Sequence, residues 1–235
     1  MSLFSKVLAL TALAGLLAGG AYVRAGRALG PSIDLHGPER YVGQTSVLDF
    51  SVDALEGTIT SVEAVLQQGE TRVPLFSLDA PGEARVEQET LGRIRIVRRF
   101  DRNVITGVTE GAAQLTVTAI RPTFYGLRQA STSLRHPLEL RFEPPRLTVL
   151  SSQHYVNHGG AEMVVYRVTP TDVESGVLVD EQFYPGFPAT SAGITGADDS
   201  RRVAFFALLH NQDLHAPMHV FARDPAGNET RVDLD

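Results

Sequence analysis

The chain has 235 residues, of which 43% are apolar and 20% charged, a balance that supports a packed core and excludes an intrinsically disordered polypeptide. Its formal net charge of −6 offers nothing global to a phosphate backbone, so nucleic acid is excluded as a partner. With no cysteine, disulfides, thiolate catalysis and cysteine-based zinc sites are all removed.

Residues 1–30, "MSLFSKVLALTALAGLLAGGAYVRAGRALG", place Lys6 before 17 uncharged, mostly apolar residues from Val7 to Val23 and close with Arg24 and Arg27. This is the pattern of an export segment. Its length suits a membrane anchor at the short end of the spanning range of about 17–25 residues, and the small residues Gly20 and Ala21 suit a cleaved signal peptide. Either reading sends the remainder to the periplasmic side of a bacterial envelope, and the anchor reading sets residues 7–23 in the inner membrane.

From Pro31 onward the sequence predicts short strands bounded by Gly, Pro, Asp and Asn. In chain order they are 46–52, 59–66, 93–100, 113–120, 138–142, 146–150, 163–168, 176–180, 203–209 and 218–224. Ten strands with turn residues at short intervals indicate an all-β sandwich fold. "YVGQTSVLDFSV" (41–52) aligns with "YVNHGGAEMVVYRV" (155–168), and "LTVTAIRPT" (115–123) with "MHVFARDPA" (218–226). An offset of about 100 residues is the length of one immunoglobulin-like sandwich. The expected organisation is an N-terminal hydrophobic helix (1–30) followed by two tandem immunoglobulin-like β-sandwich modules, 31–142 and 143–235. Pro144 and Pro145 stiffen the junction, and "RDPAGNETRV" (223–232) reads as the last hairpin.

Two stretches stand out as interaction surfaces. "RIRIVRRFDR" carries five arginines within 93–102; in a strand, Arg93 and Arg95 share one face while Arg98 lies on the other, and Arg99 follows. A solvated or edge strand protected by charge accounts for this pattern, and contact with lipid head groups or cell-wall polymer is its functional reading. "DEQFYPGFPAT" (180–190) sets Phe183, Tyr184 and Phe187 around two prolines and a glycine, reading as a turn whose aromatics either pin a loop or meet a partner domain.

His154 and His158 are four apart, as are His215 and His219. On a strand such residues stand roughly 13 Å apart, too far for two imidazoles to share a zinc ion at about 2 Å, so neither pair is expected to chelate. No nucleophile elbow, phosphate loop or EF-hand appears. No catalytic, cofactor-binding or metal residue is assigned.

"SSQHYVNHGGAEMVVYRV" (151–168), "SGVLVDEQFYPGFPA", "VAFFALLHNQD" and "ARDPAGNE" resemble the region that precedes the catalytic domain in exported bacterial murein endopeptidases of the lysostaphin/LytM type, metallopeptidase family twenty-three. The resemblance is strongest over about 143–232 and implies an envelope protein associated with peptidoglycan cleavage. The zinc site of that family uses His-x-x-x-Asp and His-x-His. Four residues after His36, His136, His154, His158, His210, His215 and His219 stand Arg40, Leu140, His158, Glu162, Leu214, His219 and Arg223, and no two histidines are one residue apart. The resemblance therefore implies a non-catalytic region that anchors, positions or regulates a peptidase domain supplied in cis or in trans, with peptidoglycan as a further partner. A free-standing adhesion or cell-wall-polymer-binding module is the alternative.

Overall fold

The computed structural model describes residues 3–26, 28–55, 57–193, 196 and 198–234, the side chains of 3–9, 25 and 192 excepted. Helix α1 (Leu3–Ala25) opens the chain. From residue 10 to 24 every side chain is exposed; Leu10, Leu13, Leu16, Leu17 and Val23 lie along one side of the helix, and Ala14, Ala18, Ala21 and Tyr22 along the other. Among the described residues no helix is long and apolar enough to cross a membrane; the side chains of Val7, Leu8 and Ala9 lie outside the described set.

The rest folds as β-sandwich and divides into two compact units, Met1–Arg40 with Ser46–Glu139, and Tyr41–Thr45 with Leu140–Asp235. The first unit is built from β1 (Ser32–Gly37), β3 (Thr45–Asp53), β4 (Ser61–Gln68), β5 (Thr71–Ser77), β6 (Arg85–Thr90), β7 (Arg93–Asp101), β8 (Gly111–Thr123) and β9 (Arg128–Leu140); between β1 and β3 lies the short β2 (Tyr41–Val42). One sheet runs β1-β3-β7-β6 and the other continues β9-β8-β4-β5. Lettered A to G with an added C′, this is A-B-E-D facing G-F-C-C′, an immunoglobulin-like order. Period-two alternation makes the core: Leu48, Phe50 and Val52 of β3, Val62, Ala64 and Leu66 of β4, and Leu115, Val117 and Ala119 of β8 are buried on the inner faces, with mostly polar residues between them on the opposite face. Phe50 and Phe76 close edge-to-face across the two sheets at 6.1 Å.

The second unit contains β10 (Arg146–Val149), β11 (Ala161–Thr169), β12 (Glu174–Val179), β13 (Gln182–Pro188), β14 (Arg201–Ala207), β15 (Met218–Arg223) and β16 (Glu229–Asp233). Their order, β10-β11-β14-β13-β12-β15-β16, is A-B-E-D followed by C-F-G. Strand β13 belongs to both sheets: its first half pairs with β12 (Val177↔Tyr184) and its second with β14 (Phe187↔Val203). The sheets close on one core that includes Val164, Tyr166 and Val168 of β11, Val177 of β12, Phe206 of β14 and Val220 of β15.

Two expectations change. Residues 182–188 are a strand that switches sheets, not a turn. Strand β7 lies between β3 and β6, so the arginine-rich strand is not an edge. The segment 151–160, "SSQHYVNHGG", has no regular strand. It is tied down by backbone bonds from Gly159 N–H to the Leu208 carbonyl (2.7 Å) and from Leu208 N–H to the Gly160 carbonyl (3.2 Å).

Candidate functional site

The arginines of β7 divide by strand alternation. Arg93 and Arg95 point outward and spend their charge within the sheet. Arg93 reaches Glu89 at 2.8 Å and Asp34 at 3.4 Å, and Arg95 grips Asp49 of β3 through two bonds of 2.9 and 2.7 Å. The Arg95 hydrogen bond holds the Asp49 carboxyl below its ordinary range. Arg98 lies on the opposite side and donates to the Leu75 carbonyl of β5. Arg99 is exposed on the outer face. A strand inside a sheet needs no charge to block edge pairing; here the charges bridge neighbouring strands instead.

The aromatic residues of 183–187 are separated by the bend of β13. Phe183 packs edge-on against Phe221 at 6.2 Å. Tyr184 leans on the core and donates its hydroxyl to the Ala207 carbonyl at 3.0 Å. Both are half-buried. Phe187, past the bend, is 60% exposed and stands opposite Val203 of β14.

Phe187 is joined on that outer face by residues from two other strands. Phe205 of β14 is 67% exposed and opposes Met163 of β11, itself exposed; one rung away Val203 opposes Val165. Val203 faces outward yet is only 7% exposed, because its neighbours roof it. An apolar patch across β11, β14 and β13 results, far from the scattered single residues normal on a surface. Arg167 and Arg201 oppose each other at one end of it. Beside them the Ser200 hydroxyl holds the Asp198 carboxyl below its ordinary range, helped by the Ser200 and Arg201 backbone N–H groups and the charge of Arg167. An apolar centre with a charged rim is the anatomy of a protein-binding surface.

Of this patch the sequence marks Phe187 only. Phe205 sits in "VAFFALL", where Val203, Ala204, Phe205 and Phe206 are apolar on both faces of one strand, and such a doubled run is the signal that both faces are covered by something.

Beneath the patch lies a polar cluster. The hydroxyls of Tyr166 and Ser175 share a 2.8 Å hydrogen bond, and the inward-facing Arg202 donates to Ser175 Oγ (3.2 Å), the Val173 carbonyl (3.2 Å) and the Thr171 carbonyl (2.6 Å). Burial pushes the Tyr166 phenol up. This cluster fixes the loop before β12.

The histidines are dispersed. His154 bonds Ser151 Oγ at 2.7 Å, His158 bonds the Gln212 carbonyl at 3.1 Å, and His215 lies 3.3 Å from Asp213. Among the described residues no three His, Asp or Glu side chains converge where a metal ion would be held.

No family model matches the sequence, and no curated protein matches it. Solved structures similar to the chain include the D1–D4 ectodomain fragment of ICAM-5, at 15% identity and a TM-score of 0.31 over 86% of this chain and 52% of that one. The YadV chaperone follows at 15% and 0.30, over 86% of this chain and 99% of that one. The N-terminal Ig1-2 module of the Drosophila receptor protein tyrosine phosphatase DLAR stands at 10% and 0.27, over 87% and 97%. The chain thus spans about half the length of the ICAM-5 fragment. The immunoglobulin-like order is carried by the chain's own strand pairings.

Proposed function

We propose that this chain is a non-catalytic binding region of a bacterial envelope protein that positions or regulates a cell-wall metalloendopeptidase domain, supplied in cis or in trans. The observation that carries it is the outer face of β11, β14 and β13, where Phe187 and Phe205 stand 60% and 67% exposed. Two large aromatics on one rigid sheet face, with a charged rim, are suited to hot-spot anchors for a protein partner. In this reading α1 tethers the chain to the inner membrane, the two units act as tandem immunoglobulin-like modules that set reach on the periplasmic side, and the aromatic face receives the peptidase. The arginine strand is less suited to gripping anionic polymer, because Arg93 and Arg95 already pair with Glu89 and Asp49.

The test is site-specific photo-crosslinking from residue 205 in the native envelope. An adduct containing a LytM-type catalytic domain, lost when Phe187 and Met163 become glutamate, supports the reading. Adducts only with peptidoglycan fragments, or only between copies of this chain, overturn it.

A further inference from the structure

We propose that the end of the first unit from which α1 emerges is a lipid-facing surface that seats this unit on the bilayer; this rests on the reading of α1 as a membrane anchor. Besides the polar β5–β6 loop, whose Leu78 N–H donates to the Val62 carbonyl and whose Asp79 and Glu83 are exposed, four stretches of chain meet at that end. Strand β1 begins there, with Ser32 opposite Asp53 of β3, so Ala54 and Leu55, and residues 57–60 before β4, lie at the same end. Ala54 N–H donates to the Gly92 carbonyl at 2.8 Å, bringing in the β6–β7 hairpin. Thr60 N–H donates to the Ile120 carbonyl at 2.9 Å and Arg121 Nε to the Leu29 carbonyl at 2.9 Å, bringing in the end of β8 and the turn 124–127.

Each stretch ends in an exposed apolar tip. These are Leu29 before β1, Leu55 after β3, Leu91 at the β6–β7 hairpin, and Tyr125 and Leu127 in the β8–β9 turn; Leu91 is 97% exposed and Tyr125 100%. The other end of the unit is polar: the β4–β5 hairpin reads Gln68-Gly69-Glu70-Thr71, and Gln68 bonds Thr109 there through both backbone groups. The apolar tips also occupy unfavourable backbone. Leu55 (φ +61°), Phe124 (φ +48°) and Tyr125 (φ +55°) hold left-handed conformations that Asn or Gly would adopt with less strain. Large apolar side chains at such positions are kept against local preference, which is the mark of a surface selected for what it touches.

The occupant follows from continuity with α1. From residue 10 to 24 the helix exposes leucines and Val23 on one side and Ala14, Ala18, Ala21 and Tyr22 on the other, which suits a hydrocarbon environment rather than one protein groove. Its last turns meet the same turn of the sandwich. The Tyr22 ring stands edge-on to Phe124 at 5.9 Å, and the Arg128 guanidinium lies 4.2 Å over the Tyr22 ring and donates to the Tyr22 carbonyl at 2.8 Å. Tyrosine and arginine at the end of an apolar helix are the pairing that settles at head-group depth, with the cation near lipid phosphates. The tips then dip into the interface beside the helix.

The chain contains no tryptophan, so one introduced tryptophan is the only such fluorophore. The 235-residue chain is reconstituted in phosphatidylethanolamine and phosphatidylglycerol vesicles as Tyr125→Trp, Leu127→Trp, Leu13→Trp and Glu70→Trp. Emission is read with and without phospholipids brominated near the ester end of the acyl chains for positions 125, 127 and 70, and near their methyl end for position 13. The expected result is a blue shift and strong quenching at 125, 127 and 13, and none at 70. Quenching at 13 with none at 125 and 127 overturns the proposal and leaves the anchor intact, whereas no quenching at any position overturns both. Quenching at 70 equal to that at 125, or a blue shift at 125 without vesicles, also overturns it, since the first is nonspecific adsorption and the second is burial against protein.

Discussion

Asn228 carries more of the second unit than any feature of its turn sequence suggests. It is almost fully buried. Its Nδ2 donates to Asp224 Oδ2 (2.8 Å) and to the Arg141 carbonyl (2.9 Å), its backbone N–H donates to Asp224 Oδ1 (2.8 Å), and its Oδ1 accepts the Gln44 N–H (2.8 Å). Replacement by alanine strands a buried donor, acceptor and carboxylate together, and a buried group left unpaired costs about 1–3 kcal/mol. Asn228→Ala should therefore lose about 3 kcal/mol, measured by urea unfolding. Asn228→Asp should lose at least as much at neutral pH, because two carboxylates then face each other, and should recover part of the loss below about pH 4, where one of them takes a proton. His219 sets a second pH effect. Its Nε2 is buried without a partner, and burial, with Arg231 adding to it, lowers the imidazole's pKa from its ordinary value. The unfolded chain therefore binds the proton first. Stability is full above the unfolded pKa of about 6.5 and declines as pH falls from there toward the lower folded value. His219→Leu should flatten the urea midpoint between about pH 7.5 and pH 5.5. The Asp49–Arg95 pair works in a separate window: the lowered Asp49 pKa gives stability that is present above about pH 4 and lost on further acidification.

Among elements, the strands read correctly from sequence are those with one face buried, such as β4 and β8, where alternation is visible residue by residue. Those missed have a physical reason for lacking it. Strand β6, "RVEQET", is exposed along nearly its whole length at the edge of its sheet, so it has no apolar face to alternate. Strand β5, "TRVPLFS", contains Pro74, which sits where the register with β4 slips between Ala64 and Val65; a bulge on an edge strand is where proline is tolerated. In β13 the residues Pro185, Gly186 and Pro188 carry turn chemistry because the strand must bend between sheets, and that chemistry masks an alternation the strand keeps, with Tyr184 and Gly186 facing the core and Phe183, Pro185 and Phe187 facing out. Tyr184 turns toward the core while Phe183 and Phe187 face outward, Phe183 covered by Phe221 and Phe187 left bare, so the aromatic cluster was legible as a place and illegible as a surface. Gly186 is the hinge of the bend. A Cβ there would lie 1.8 Å from the Tyr166 hydroxyl and 3.1 Å from the Ser175 carbonyl. Gly186→Ala should destabilise the protein by about 3 kcal/mol or more, the range of overpacking plus a broken buried hydrogen bond. Adding Tyr166→Phe removes the nearest atom and should restore part of that loss in thermal unfolding, although the ring carbon at 2.9 Å remains tight. A fully additive double variant would show that the clash lies elsewhere.

For the molecule as a whole, the second unit is discontinuous in sequence: Tyr41–Thr45 belongs with Leu140–Asp235, and the chain leaves it at Ser46 to build most of another sandwich before returning at Leu140. The short segment is fastened by more than one contact. Gln44 Nε2 donates to the Phe142 carbonyl at 2.9 Å, Arg141 N–H donates to the Val42 carbonyl at 2.9 Å, and the Arg141 guanidinium lies 4.6 Å over the Tyr41 ring. Gly43 permits the approach, since a Cβ there would stand 2.4 Å from the Ala226 carbonyl. A cut at residue 140 therefore does not excise this unit intact. The fragment 140–235 loses the partner that Asn228 Oδ1 accepts from, and that oxygen turns to water. Asn228→Ala should then cost about 1 kcal/mol less in the fragment than in the full chain, a coupling read directly by comparing the two urea denaturation series. Equal costs in both would mean that Tyr41–Thr45 rests on the second unit without contributing to its stability. The expected inequality makes those five residues part of its fold, and any future division of the chain has to carry them along.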